Sequence, residues 1–163
     1  MGLQLPGELA TLLNELGYTW PNADESKMFE LAQMWIGFAE QIAALPTEAR
    51  SSGQAVLAQN HGAAVDAFAA LWTAGSSAVT ALDNAVTGAQ VIGAALIVCA
   101  IVVLALKISV IVQLTILLIQ IIQAIATAGP TFGASLLEIP VFKILADFVI
   151  DYLVGQALEA LLG

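Results

Sequence analysis

A chain of 163 residues is long enough for one domain, but 60% of it is apolar and only 10% charged, against roughly 25% charged in an ordinary soluble domain. Thirteen acidic residues against four basic ones give a net charge of −9, which repels phosphate backbones and excludes nucleic acid as a partner. Cys99 is the one cysteine, so no internal disulfide forms, and the N-terminus MGLQLPGELA lacks the basic and apolar regions of a Sec-type signal peptide.

In chain order, Pro6 to Leu16 predicts a short helix with Pro early, Glu8 in its first turn and Gly17 placed to end it in a left-handed conformation. The stretch GYTWPNADESKMFE restarts the chain. Asn22 is expected to cap the next helix, with Glu25 returning the capping-box hydrogen bond three residues on. Met28, Leu31, Trp35, Phe38, Ile42 and Leu45 then alternate by three and four, continuing through Ala49, Ser52 and Val56, a heptad seam. Pro46 kinks this helix or restarts it with Thr47 as cap. QNHGAA, with Asn60 and Gly62, signals a reversal. Beyond it Val65, Phe68, Trp72, Gly75, Val79, Leu82 and Val86 repeat the spacing, so residues 22–87 read as an antiparallel helical hairpin.

From residue 88 to 128 polarity falls away. Residues 91–128 carry one charge, Lys107. As one helix they would extend about 57 Å, nearly twice a ~30 Å hydrocarbon core, yet LALKISVIV offers no turn residues for a helix pair. Ser109, Gln113, Gln120, Gln123 and Thr127 cluster near one side; they suit a buried soluble helix or the interior of an oligomeric membrane bundle. Composition admits both. GPTFG at 129–133 breaks the run, and a last amphipathic helix is expected over 134–163. There Val141, Leu145, Phe148 and Tyr152 share one face, while Lys143, Asp147, Asp151 and Glu159 share another that faces water. The fold class is all-α: one domain over 1–163 with a short helix and entry at 1–21, a heptad-patterned hairpin at 22–87, an apolar helix or helix pair at 88–128 and the C-terminal helix.

No catalytic, cofactor or metal site is expected. His61 is alone in a turn without a second ligand at metal spacing. Asp147 and Asp151 lack an accompanying cleft loop or third acid. No phosphate loop or nucleophile motif appears.

NHGAAVDAFAALW, at and after the hairpin turn, resembles the Trp-X-Gly (WXG) superfamily of helical hairpins exported by type VII secretion. LGYTWPNADESKMFELAQMWIGFAEQIAAL with the apolar run and GPTFGASLLEIP is similar, more narrowly, to the N-terminal domain of CpnT-like outer membrane channel and polymorphic toxin proteins of actinobacteria. The turn keeps only Gly62 of the Trp-X-Gly triplet, and WIG at 35–37 falls inside a predicted helix. The Tyr-X-X-X-Asp/Glu export signature is missing, since Tyr152 is followed by Gln156 and Tyr18 by Asn22. The resemblance implies a secreted or envelope-associated module, ahead of a separate toxin domain, that meets a WXG-type partner or the secretion machinery. Trp35, Phe38, Gly62, Phe68 and Trp72 are the expected partner-binding residues. The alternative is a channel-forming domain, in which Lys107, Gln113, Gln120 and Gln123 line an oligomeric interior or meet the membrane.

Overall fold

The computed structural model describes residues 2–162. Every regular element among them is helical: α1 (Gly7–Glu15), α2 (Glu25–Ile42), α3 (Leu45–Gln59), α4 (Ala63–Trp72), α5 (Ala78–Ala126), a 3-10 helix (Ala134–Glu138) and α6 (Ile139–Leu162). The helices gather into two compact units. The first comprises the chain up to Lys27 together with Val98 onward; the second comprises Met28–Ile97.

In the first unit, α1 ends as its residues predict. Gly17 adopts φ 87°, and its N–H and that of Tyr18 close onto Asn14 and Leu13 carbonyls at 3.0 and 3.2 Å. Leu9 and Leu13 of α1 pack with Val110 and Leu114 of α5 and Ile150 of α6, and Tyr18, Trp20 and Leu106 close around them. The predicted capping box at Asn22 is not what starts α2. Asp24 is the cap, its Oδ1 accepting the Lys27 N–H at 3.2 Å, and Glu25 points into the first unit instead. A buried cation there outcompetes a local backbone N–H for its carboxylate.

The C-terminal helix differs from expectation in its buried side. The acidic stripe is exposed as expected, but so are Val141, Leu145, Phe148 and Tyr152; α6 packs inward through Ala146 and Ile150. The turn before it is held by Gly133, whose N–H reaches the Ala128 carbonyl at 2.7 Å, and by the buried Ser135 hydroxyl, which donates to the Ala124 carbonyl at 2.7 Å.

In the second unit, Pro46 lies in the first turn of a new helix, with Ala44 rather than Thr47 at its cap position. A proline there forfeits no ladder hydrogen bond. The reversal falls at Asn60–Gly62, but the second arm is shorter than the seam suggests. α4 stops at Trp72, and α5 starts anew with Ser77, whose Oγ accepts the Thr80 N–H at 3.3 Å. Gly75 and the two serines after it disfavour helix interior and favour a cap, which the apolar spacing conceals. The apolar run belongs to one 49-residue helix with no reversal, which also takes in residues 78–87 that the apolar spacing places in the hairpin. The interior of this unit is built mostly of small groups: Ala32, Ala39, Ala89 and Gly53 are buried, and so are Val79 and Pro46. Ala32 and Ile36 of α2 approach Gly93 so closely that a Cβ there would lie 2.7 Å from the Ile36 side chain.

Candidate partner-binding surface

Small interior groups bring helices close but leave the large side chains outside. On α2 those are Leu31, Met34, Trp35 and Phe38, at positions i, i+3, i+4 and i+7, so they form one face. Met34 is 68% exposed, Phe38 45% and Trp35 37%. Trp35 and Phe38 meet edge to face with centroids 6.2 Å apart, the favourable arrangement for two aromatic quadrupoles. The four line one shallow apolar depression. A patch of large apolar groups in water is the informative departure from ordinary surface composition, and its spacing is that of anchors one helix presents to another.

The five expected partner-binding residues divide. Trp35 and Phe38 lie in the exposed patch. Phe68 and Trp72 stack on each other with centroids 5.2 Å apart and are half-buried; the Trp72 indole covers Gly53 so closely that any Cβ there would overlap it. They join α4 to α3 and are part of the hairpin's own packing. Gly62 occupies the turn at φ 113°, a conformation that L side chains rarely adopt. Leu31 belonged to the predicted seam and Met34 lay off it; the wider i, i+3, i+4, i+7 pattern joins both to the aromatic pair.

Lys107, expected to line an interior or meet lipid, is instead 1% exposed inside the first unit. Its ammonium donates to the Ala23 carbonyl at 2.6 Å and to Glu25 Oε2 at 2.8 Å, and lies 5.7 Å from the Trp20 ring centroid. The Leu3 N–H donates to the other oxygen of Glu25. That hydrogen bond and the Lys107 ammonium hold the Glu25 carboxyl down at about 2. Separation by 82 residues hides this pair from sequence reading. Gln113 and Gln120 are half-buried and Gln123 is exposed.

On the outer side of α5, Ile108, Val112, Ile116 and Ile119 are exposed, opposite the buried Lys107, Val110, Leu114 and Leu117. An open groove between α5 and α6 is lined by Ile101, Ala105, Ser109, Leu153, Gln156 and Ala160. Among the described residues no cluster of three His, Cys, Asp or Glu side chains can hold a metal ion.

A family model described as a WXG100-like domain matches residues 4–147. No curated protein and no solved structure matches the chain.

Proposed function

The chain belongs to the WXG100-like domain family, whose members are helical proteins of type VII secretion, and from that premise we propose that it is an export and targeting domain acting by helix-to-helix recognition. In this reading it directs a larger toxin to the secretion system and docks a WXG-type partner on the face of Leu31, Met34, Trp35 and Phe38. The exposure of that face carries the proposal. A tryptophan and a phenylalanine in edge-to-face contact are the kind of anchor on which interface energy concentrates, and the Tyr-X-X-X-Asp/Glu export signature is missing from the sequence.

The test is co-expression with small helical proteins encoded beside it, followed by affinity measurement and a secretion assay. Replacing Trp35 and Phe38 together by alanine weakens the complex by at least about 100-fold, as loss of two hot-spot side chains does, and leaves helicity intact. No complex with any such protein, together with normal export of a cargo lacking this domain, overturns the reading.

A second reading draws on a separate observation: α5 is one uninterrupted helix, apolar enough to cross a membrane, and its most apolar 18-residue window is only 22% buried. Here α5 inserts and helps a toxin across an envelope. Release of dye from vesicles supports it; vesicles that stay sealed across pH and lipid composition count against it.

A further inference from the structure

α6 carries its largest side chains outward. Phe148 is 74% exposed, and Ile144, Leu145, Val141 and Tyr152 are all more than half exposed, forming a stripe over three turns. A stripe of that spacing is one that a helix presents to another helix.

Charge decides which kind. Asp147 precedes Phe148 by one residue and Asp151 precedes Tyr152 by one, so an acidic line runs along the stripe about 100° round the helix. Both carboxylates are exposed. Asp147 and Asp151 have the Tyr18 phenol from the facing segment beside them, a neutral group that leaves their charge in place. Lys143, one turn earlier on the same line, is engaged by Glu15 of α1 at 2.5 Å. Arg50 and Lys107 are paired with Asp83 and Glu25. A second copy, also at −9, would bring like charge to the same rim, and an anionic bilayer surface would repel it.

We propose that the outward face of α6 is a docking surface for an amphipathic helix of another protein, its apolar stripe covering Phe148 and Tyr152 and its Lys/Arg flank meeting Asp147 and Asp151. This surface lies in the first unit and is argued independently of the Trp35 patch.

The probe is a labelled 18-residue synthetic helix with a leucine stripe and lysines elsewhere, compared with its twin carrying glutamates for lysines. Fluorescence anisotropy is read against the whole chain, and vesicles of zwitterionic and anionic lipid are run alongside. The lysine helix binds at least about tenfold tighter than its twin. Phe148→Ser with Tyr152→Ser weakens it about tenfold or more, and Asp147→Asn with Asp151→Asn weakens it about three- to tenfold. Glu30→Gln with Glu40→Gln, the same charge change on α2, has less effect. The proposal is overturned by equal effects of the two carboxylate pairs, by unchanged binding in the Phe148/Tyr152 variant, or by a stripe that binds only vesicles. It is also overturned if the chain dimerises in sedimentation and the Phe148/Tyr152 variant alone abolishes the dimer.

Discussion

Replacing Glu25 by alanine removes the carboxylate paired with a lysine that is 1% exposed. The Lys107 ammonium keeps the Ala23 carbonyl at 2.6 Å and the Trp20 ring, but not a compensating charge. Breaking one side of a buried pair costs about 3–5 kcal/mol, at least about a fifth of the 5–15 kcal/mol that holds a typical domain. At about 2–4 °C per kcal/mol for a chain of this size, the melting temperature falls by roughly 10 °C. Glu25→Gln combined with Lys107→Met removes both charges while nearly keeping volume, leaves the Ala23 carbonyl without its donor, and costs less than Glu25→Ala alone. Urea unfolding followed by circular dichroism on the two single variants and the double variant gives the coupling directly. The pH dependence has a definite sign. Glu25 is held near 2 in the folded chain, below the ~4.3 of an unfolded glutamate, so its contribution is complete above about pH 5 and is lost as pH falls toward 2. The reasoning is refuted if Glu25→Ala unfolds within about 0.5 kcal/mol of the native chain, a shift ordinary for an uninvolved surface site, or if the double variant is as unstable as the single.

Three further outcomes follow from the geometry. Gly53→Ala forces the Trp72 indole off α3 and destabilises the second unit by about 1–3 kcal/mol, as overpacking does, measured by chemical denaturation with tryptophan fluorescence. Burial first, then Asp147 and Asp151, push the Tyr18 phenol up to about 12; since the folded value exceeds the unfolded value of about 10, its contribution is present below pH 10 and lost as pH rises toward 12. Absorbance titration at alkaline pH, with Tyr18→Phe as reference, reads it. Asp24→Ala removes the cap on α2 and costs about 1 kcal/mol, whereas Asn22→Ala, at the predicted cap, leaves thermal stability nearly unchanged.

Local signals in this sequence were readable where one residue type decides the geometry. Gly17 and Gly62 mark turns at positive φ, and Pro46 marks a helix start. The break at residues 73–77 was not, because apolar spacing on either side continues in phase across Gly75. The capping box expected at Glu25 fails for a related reason: the local motif is present, but the carboxylate has a stronger partner 82 residues away. For α6, periodicity separates the apolar face from the acidic one and puts the acidic one in water, yet does not show that the apolar face is left uncovered too. In a chain that is 60% apolar there is more apolar surface than its own interior takes in, so Ala146 and Ile150 are buried while Phe148 is not. The aromatic pair Trp35 and Phe38 was legible as a candidate; its separation from Phe68 and Trp72 depends on Gly53, whose missing side chain gives the Trp72 ring its place.

The lone charge of the apolar run bears on both readings of α5. A lysine at the centre of a simple membrane span costs about 2.5–3.5 kcal/mol on insertion scales, and an aspartate-like carboxylate about as much. Here Lys107 is neutralised by Glu25 and covered by Trp20, and the same segment brings Leu9 and Leu13 against Val110 and Leu114. Insertion of α5 alone would therefore strand a buried ammonium and strip an assembled core. Only insertion with both residues 2–25 and α6 still attached would keep the ion pair and its core together. The apolar composition of α5 thus does not choose between water and lipid; its inner face is already satisfied by the chain's own N-terminal segment. What remains to be covered is the outer face, and on α6 beside it the acidic line of Asp147 and Asp151 favours a basic helix over a bilayer.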